Sequence, residues 1–344
     1  MTHETILFGL DLGKTWFHVV GINGQGKPVL RKKFNRRQLG EFAGTTARCI
    51  VAMESCPGSQ HWGRLFAKYG HEVRIIPAQF VKPYLKGNKN DFNDAEAIAE
   101  SASRGTMRFV ALKNAEQLEL QATHRVRERF VSERTAVVNQ MRALLLEHGI
   151  VVPVGRVKFE KAMPNILEDA ENGLSVRMRD LLRRLRERWR ALDIEVDEVT
   201  ELLRVIGSQS ELCQRALTVP GIGPIISTAV VAAVGNAQMF RRGRDMAAWL
   251  GLVPRQHSTG GKSTLGSISK RGNIYLRKLF IQGAQVLLLH LKRDQSRLGE
   301  WIRSIEMRRN RNVAVVALAN KLVRICWKML ATGAEYRPYP ARAA

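Results

Sequence analysis

The hydrophobic pattern of the chain changes character near residue 91. Up to residue 78, short apolar runs alternate with amphipathic stretches, which is typical of strands interleaved with helices. Three runs joined by short turns predict an antiparallel meander, and two later runs, each preceded by a helical stretch, predict parallel strands. The strands are predicted at residues 6–12, 16–22, 28–34, 49–54 and 72–77, and the helices at 37–43 and 61–68. These elements predict an α/β sheet domain.

Beyond residue 91 the apolar residues recur at helical spacing, and the strand signals largely vanish. Residues 115–148 predict one long helix closed by Gly149, followed by a break at 150–154. A second long helix is predicted to end at Gly207, and its apolar residues alternate four and three apart, as in coiled coils. The two helices predict an arm that either folds into an intramolecular hairpin or pairs with a second chain. The stripe consists of Met178, Leu182, Leu185, Trp189, Leu192, Val196, Val199, Leu203 and Ile206.

Four carboxylates are the candidate metal ligands of the first domain. Asp11 lies inside the first predicted strand and Glu54 ends the fourth, positions where an unpaired acid is unfavourable. Asp91 and Asp94 lie three apart at the start of a predicted helix and therefore share a face. Carboxylates that converge from separate elements form the oxygen-rich cage that Mg²⁺ prefers. The four acids suggest metal-assisted phosphate chemistry, with Mg²⁺ or Mn²⁺ as the cofactor.

Three of the four acids also have an ordinary structural explanation. Asp11 is a suitable turn residue at a strand end. Asp91 is able to cap a helix with Asp94 at the third helical position, and Asn93 with Glu96 forms a similar capping box. The cap explains the helical pair well in isolation, but not the two acids of the sheet.

Two phosphate-loop motifs near Asp11 are incomplete. The run from Gly9 to Thr15 is one residue short of a P-loop, and a strand rather than a helix is predicted to follow it. The Asp-x-Gly-x-Thr string resembles the first phosphate loop of sugar-kinase-like ATPases, but the second Asp-Gly loop of such proteins is missing downstream.

The charge of the chain indicates a polyanionic partner. The 55 Lys and Arg residues against 31 Asp and Glu residues leave a net charge of +24, and nucleic acid is the expected partner of so basic a protein. Lys86 and Lys89, just before the helical acids, are candidates for contacts to its backbone. No membrane partner is expected, because no apolar stretch is long enough to span a bilayer and no signal peptide opens the chain. The four scattered cysteines predict neither a disulfide nor a zinc site.

Two C-terminal motifs are further candidates. Residues 217–223, with Gly221 and Gly223, resemble the hairpin of helix-hairpin-helix DNA binders, in which backbone N–H groups bind a phosphate; the alternative is a simple glycine-rich connection. The polar loop at 254–262 carries hydroxyls among basic side chains, and one of them is a candidate nucleophile for a phosphodiester. Most serines in such loops are turn residues, and position alone leaves Ser258, Thr259 and Ser263 open. Its neighbouring cations are Arg255, Lys262, Lys270 and Arg271.

The ordered set of motifs resembles one family. In the N-terminal part the matching strings are Gly9-Leu10-Asp11, Met53-Glu54-Ser55 and residues 88–95. In the C-terminal part they are residues 219–223, residues 249–255, and Ser258 with residues 268–273. Over nearly its entire length the chain resembles the DEDD-type transposases of bacterial insertion sequences, which are bridge-RNA-guided serine recombinases.

The resemblance implies a RuvC-like, ribonuclease-H-type sheet domain, a coiled-coil arm and a helical transposase domain. It implies that Asp11, Glu54, Asp91 and Asp94 bind the metal and that Ser258 becomes covalently linked to DNA. The implied partners are donor and target DNA, a noncoding guide RNA, and further copies of the chain in a homodimer or homotetramer. The expected location is the bacterial cytoplasm, at the nucleoid when the protein acts. The domains are expected at residues 1–112, 113–207 and 208–332, with a loosely ordered tail at 333–344.

Together with the residues, the resemblance implies a transposase that cleaves and rejoins DNA through a 5′-phosphoserine intermediate. One alternative is a Holliday-junction-type endonuclease in which the same acids activate water and Ser258 is a turn residue. The other is a non-enzymatic nucleic-acid-binding assembly protein, in which the acids are helix caps and the apolar stripe drives association.

Overall fold

The chain forms two compact units in the computed structural model, which describes residues 6–88 and 90–340. The described residues divide into these units between residues 115 and 116. The first is a sheet with helices on both faces, and the second is helical apart from one hairpin. The predicted combination of an α/β sheet domain with a helical part is confirmed. The finer division into four segments stays a prediction.

The sheet of the first unit has five strands. They are β1 (Leu7–Leu12), β2 (Trp16–Ile22), β3 (Pro28–Asn35), β4 (Ile50–Glu54) and β5 (Glu72–Ile76). Their order across the sheet is β3-β2-β1-β4-β5. The first three strands pair antiparallel, whereas β4 is parallel to both β1 and β5. The predicted meander followed by parallel strands is confirmed.

Helices cover the two faces of this sheet. They are α1 (Arg36–Thr45), α2 (Ser59–Lys68), the short α3 (Ala78–Val81) with the 3₁₀ turn Lys82–Tyr84 after it, and α4 (Asp91–Ala102). Phe8 and Leu10 of β1 are buried on the face that packs against α1 and α2. Leu7 of the same strand is buried on the other face, with Ile98 of α4. The strand is apolar on both sides because both faces are covered.

The second unit contains nine helices and two strands within its described residues. They are α5 (Ala115–Glu147), α6 (Arg156–Glu168), α7 (Val176–Gln209), α8 (Glu211–Leu217), α9 (Pro224–Val234), α10 (Gly243–Trp249), β6 (Pro254–Thr259), β7 (Lys262–Ile268), α11 (Ile274–His290), α12 (Arg297–Glu306) and α13 (Arg311–Thr332). The largest cluster of buried apolar residues joins α8 to α13. It forms the core that supports the hairpin of β6 and β7.

The predicted heptad stripe lies on α7 and packs inside the second unit. Leu182 and Trp189 are buried with Phe159 of α6, and Leu203 is buried against Leu120 of α5. This packing corresponds to the intramolecular alternative. A coiled coil between chains stays a prediction.

The prediction that Gly207 ends this helix was wrong. The residue is buried, and α7 continues through it to Gln209. A Cβ at Gly207 would lie 2.9 Å from Cγ2 of Thr228 in α9. The glycine therefore permits close helix packing instead of terminating the helix.

The prediction of a polar loop at residues 254–262 was also wrong. Strands β6 and β7 form an antiparallel hairpin whose turn uses Gly260 and Gly261, with φ of 52° and 78°. Nearly every residue of the hairpin is exposed. It therefore lacks the alternation of apolar and polar residues by which a strand is recognised in a sequence.

Candidate metal centre and serine hairpin

Asp11, His18 and Glu54 share one face of the sheet, because side chains alternate along a strand. Leu7 and Ala52 are buried on the face that α4 covers. Asp11 and Glu54 follow these residues by an even number of positions and point the same way. The β1–β2 register pairs Asp11 directly with His18. A histidine therefore joins the two sheet carboxylates.

Helix α4 lies close to this face because β1 has a glycine at position 9. A Cβ at Gly9 would lie only 2.1 Å from the carbonyl oxygen of Ala95 and 2.6 Å from the backbone nitrogen of Ala99. Asp91 lies one turn before Ala95, so the first turn of the helix reaches the end of β1 that carries Asp11. The small residue on the strand brings the helical acids to the sheet acids.

The helix cap is neither Asp91 nor Asn93, so that alternative was wrong. Asn90 is the N-cap, and its side chain accepts a hydrogen bond of 2.9 Å from the N–H of Phe92. Asp91 and Asp94 lie within the first turn of α4. Their carboxylates are free of the capping role and available to a cation.

Asp11, His18 and Asp91 form the tightest group of ligand atoms among the described residues. One ligand atom from each lies within 4.8 Å of the others. The Nδ1 atom of His18 is 3.4 Å from an Oδ2 oxygen of Asp91, and its ring packs edge-on against Phe92. A single cation is able to bridge atoms at this spacing.

The electrostatics of the cluster favour a bound cation. Burial, then Asp94 and Asp91, raise the pKa of Asp11 to about 6. Burial and then Asp94 also raise the pKa of Glu54, against the opposing effect of Lys82. Like charges held close together disfavour ionisation unless a positive charge joins them. All four predicted acids are thus electrostatically coupled, although Glu54 and Asp94 lie outside the tightest group.

The ligand set fits a divalent cation. Carboxylate oxygens suit Mg²⁺ and Mn²⁺, and an imidazole nitrogen beside them suits a transition metal such as Mn²⁺ more than Mg²⁺. Sequence reasoning missed His18, which is 8% exposed. The signal that would have found it is the register of the predicted β1–β2 hairpin, since that register places residue 18 opposite residue 11.

Ser258 lies exposed on β6, in the β-hairpin of the second unit. Its Oγ accepts a hydrogen bond of 2.9 Å from Nε2 of Gln256, and Ser263 is its cross-strand partner. Lys262 pairs instead with Thr259 and points to the opposite face of the hairpin. The Ser258 hydroxyl therefore has a hydrogen-bond donor, Gln256, on its own strand, whereas the Lys262 ammonium lies on the opposite face of the hairpin.

The segment after β7 is anchored to the helical core. The side chain of Arg277 is buried and donates hydrogen bonds of 3.0 Å to the carbonyl oxygens of Leu250 and Arg271. A Cβ at Gly251 would lie 2.2 Å from the Arg271 oxygen, which makes a larger residue incompatible with this contact. Lys270 and Arg271 thus leave the core at fixed backbone positions with exposed side chains.

Two family models match the chain at these two sites. The IS110 DEDD transposase model matches residues 8–150, which include the four acids. The model described as the transposase IS116/IS110/IS902 family matches residues 213–298, which include Ser258. Whole-length relatives agree with both. The chain is 43% identical to the transposase for insertion sequence element IS1328 of Yersinia enterocolitica, over 96% of this chain and 98% of that protein.

The chain belongs to the IS116/IS110/IS902 transposase family. It is also 41% identical to the transposase for insertion sequence element IS1111A of Coxiella burnetii, over 96% of this chain and 91% of that protein. A protein of Pseudomonas aeruginosa named as a probable family 20 transposase is 43% identical over 96% and 98% of the two chains. The family expected from the ordered motifs is confirmed.

The predicted nucleic-acid contacts of this transposase belong to both units, with Lys86 in the first and the remaining described residues in the second. Lys86 forms an ion pair of 2.7 Å with Glu100, and Lys89 lies outside the described residues. Arg255 donates a long hydrogen bond of 3.4 Å to the carbonyl oxygen of Ser269.

No helix within the described residues is long and apolar enough to cross a membrane.

The glycine turn of the transposase joins α8 to α9. Gly221 has a φ of 80° and packs against α11, where a Cβ at Gly283 would lie 2.3 Å from its carbonyl oxygen. Gly223 is the N-cap of α9 and has open space where a side chain would be. The turn is a glycine-rich connection between two helices, with Gly221 facing the core, and phosphate binding by its backbone N–H groups stays a prediction.

Proposed function

We propose that this transposase cleaves and rejoins strands of donor and target DNA through a covalent link between Ser258 and a 5′ phosphate. The observation that carries the proposal is the coupled group of Asp11, Glu54, Asp91 and Asp94 with His18, because acids held this close together favour a bound cation. The exposed hydroxyl of Ser258 on an anchored hairpin supports the second half of the proposal.

The first-unit residues would hold the metal. Asp11 and Asp91 supply oxygen ligands next to the His18 nitrogen, and Glu54 and Asp94 add negative charge around them. A bound Mg²⁺ or Mn²⁺ supplies positive charge that favours deprotonation of the attacking hydroxyl and stabilises charge on the phosphate.

Attack by Ser258 replaces one phosphate ester bond with another, so the energy of the phosphodiester is conserved for rejoining. Its Oγ attacks phosphorus, an Oγ–P bond forms, and the bond from phosphorus to the 3′ oxygen breaks. The 3′ oxygen leaves as a hydroxyl after taking up a proton, and the serine proton passes to a base. In rejoining, a 3′ hydroxyl attacks the phosphoserine and regenerates the free serine. Gln256 orients the serine by donating to Oγ and leaves the hydroxyl proton free for transfer.

Guidance by RNA and assembly into dimers or tetramers are part of the same proposal. The net charge of +24 supports binding of more than one nucleic-acid strand. Assembly through a coiled coil between the arms of two chains stays part of this proposal.

A suicide DNA substrate tests the serine chemistry. Its nick lets the cleaved fragment diffuse away, so an attached strand cannot be rejoined. With purified transposase, matching RNA and Mg²⁺, we expect a covalent protein–DNA band that Ser258→Ala removes and that Ser263→Ala, on the facing strand, retains. Nucleic-acid binding should be nearly unchanged in both variants.

The same assay separates the other functions. Cleavage without any adduct would instead support a nuclease that activates water. Binding without metal-dependent cleavage in the wild-type protein would support an assembly protein without enzymatic activity.

A further inference from the structure

The C-terminal unit has a cavity of about 600 Å³. Its walls come from the start of α10, the second half of α13 and the segment at residues 334–339. Neither the carboxylates nor Ser258 line it. A role for this cavity is therefore independent of the proposed strand-transfer chemistry.

Positive charge dominates the cavity. On α13, Lys321, Arg324 and Lys328 follow one another at three and four residues and share one helix face. Burial and then the neighbouring Arg324 lower the pKa of Lys321. No cation of the lining is within ion-pair distance of a carboxylate of the described residues. The lining includes six cations and one acid, Glu335; the cations are Arg242, Arg244, Lys321, Arg324, Lys328 and Arg337.

Close packing holds these charges together. A Cβ at Gly243 would lie 3.0 Å from the carbonyl oxygen and 3.1 Å from the Cα of Arg324, so the glycine lets α10 lie directly on α13. The indole Nε1 of Trp327 donates a hydrogen bond of 3.2 Å to the carbonyl oxygen of Phe240, which fixes the chain just before α10. These packing contacts therefore hold the mutually repelling cations of the two helices around one cavity.

The third wall adds aromatic side chains. The N–H of Tyr336 donates to Oγ1 of Thr218 over 3.0 Å. The carbonyl oxygen of Tyr339 accepts from the N–H of Arg297 over 3.2 Å. Tyr339 is 65% exposed, and the Arg297 guanidinium lies 5.6 Å from its ring centroid. An exposed ring held by its backbone is a suitable platform for a nucleic-acid base.

We propose that this cavity binds an unpaired stretch of nucleic acid, with phosphates on the cations of α13 and a base against Tyr339. Phosphates match unpaired Arg and Lys side chains, and aromatic rings stack on bases without reading sequence. The cavity has the size of a small-molecule pocket. It therefore accommodates a nucleotide or two of a single strand, whereas a duplex remains outside it.

Binding measured without metal tests this site separately from strand cleavage. The probes are labelled single-stranded DNA, single-stranded RNA of the same sequence, and duplex DNA, each followed by fluorescence anisotropy in EDTA. The double variant Arg324→Gln with Lys328→Gln removes two exposed, unpaired cations. Two lost phosphate contacts predict about tenfold weaker single-strand binding near 0.15 M salt and a log–log salt slope smaller by about 1.4.

The matched control is Lys161→Gln with Arg177→Gln, which removes the same charge from exposed, unpaired positions elsewhere in the unit. It should weaken single-strand binding by less than about threefold. An equal loss in both double variants would show that only net charge matters and would overturn the proposal. Weaker binding of duplex DNA alone, with single-strand binding unchanged, would also overturn it. The cavity double variant should bind both single-stranded probes more weakly than wild type does. The single strand that wild type binds more tightly, DNA or RNA, identifies the natural strand type.

Tyr339→Leu tests the base contact. It should weaken binding of the single strands about fivefold or more, the effect of losing one stacked base, and leave binding of an abasic oligonucleotide unchanged. Equal weakening on the abasic strand would contradict base stacking. Polyaspartate of matched charge serves as a competitor. If it competed as strongly as the single strand does, the cavity would bind any polyanion, and the proposal would be overturned.

Discussion

His18 of strand β2 contacts Asp91 of helix α4, with 3.4 Å between Nδ1 and Oδ2. His18 also pairs with Asp11 across the sheet. The imidazole therefore lies between an acid of the sheet and an acid of the helix.

His18→Gln should weaken metal binding, because the imidazole both offers a nitrogen ligand and positions Asp91. Loss of such a partner commonly reduces metal affinity by about 10- to 100-fold. We expect the Mn²⁺ or Mg²⁺ concentration for half-maximal DNA cleavage to rise by that factor, with most of the rate recovered at saturating metal. His61→Gln, at an exposed position of α2, is the control. A lower rate with an unchanged metal requirement would contradict this role.

Gly9→Ala should destabilise the first unit and disturb its metal site together. The added methyl group meets the backbone of Ala95 and Ala99, and overpacking of this kind costs about 1–3 kcal/mol. Urea unfolding measures the loss, and metal titration measures the site.

Gly40→Ala is the matched control for this change. It lies in α1 and has open space around its Cβ position. We expect it to be neutral or stabilising by up to about 1 kcal/mol. Equal effects of the two substitutions would refute the close approach of α4 as the cause.

Asp11→Asn should stabilise the metal-free protein while abolishing cleavage. The pKa of Asp11 is raised from 3.8 to about 6, so between these values the folded state holds a proton that the unfolded state has released. Stability therefore falls as pH rises from about 4 to about 6, and the full penalty persists at higher pH.

The free energy of unfolding of Asp11→Asn should exceed that of wild type by about 1–2 kcal/mol at pH 8, after allowance for solvent screening. Below pH 4 the two proteins should be almost equally stable. Urea unfolding in EDTA at both pH values measures this difference. Added Mg²⁺ should stabilise the wild-type protein far more than the variant. An Asn variant that is active, or that is no more stable at pH 8, would contradict the metal-site assignment.

His124 should make the second unit sensitive to acid. Burial and then Arg127 lower its pKa from 6.5 to about 4. Its ring nitrogens lie 3.0 Å from the Tyr275 hydroxyl and 3.0 Å from Oγ1 of Thr228. The folded state binds fewer protons here than the unfolded state, so stability is complete above pH 6.5 and is lost as pH falls towards 4.

The loss should reach about 3 kcal/mol at pH 4. In urea unfolding, wild type should exceed His124→Gln in stability at pH 7, and the difference should shrink on acidification. His290→Gln, at an exposed position on α11, should show no such convergence. A constant difference across the range would show that His124 does not titrate with this pKa.

The central strands β1, β2 and β4 were predictable because they are mostly buried and their apolar runs are continuous. The hairpin of Ser258 was not, since its exposed residues carry no apolar alternation. The cap at Asn90 also escaped prediction, because Asn90, Asp91 and Asn93 lie within four residues and each is a good cap. Local preference cannot choose among such neighbours without the observed hydrogen bonds.

The sequence by itself determined the family, the mixed sheet and the four acids, because these depend on local order along the chain and on periodicity. Only the tertiary structure decided that His18 joins the acids, that Gly9 brings α4 to them, and that the heptad stripe is buried within one chain. It also assembled the cationic cavity from segments up to almost a hundred residues apart, from Arg242 to Tyr339. Such relationships arise from packing between distant segments, and packing is set by the whole fold rather than by neighbours in the sequence.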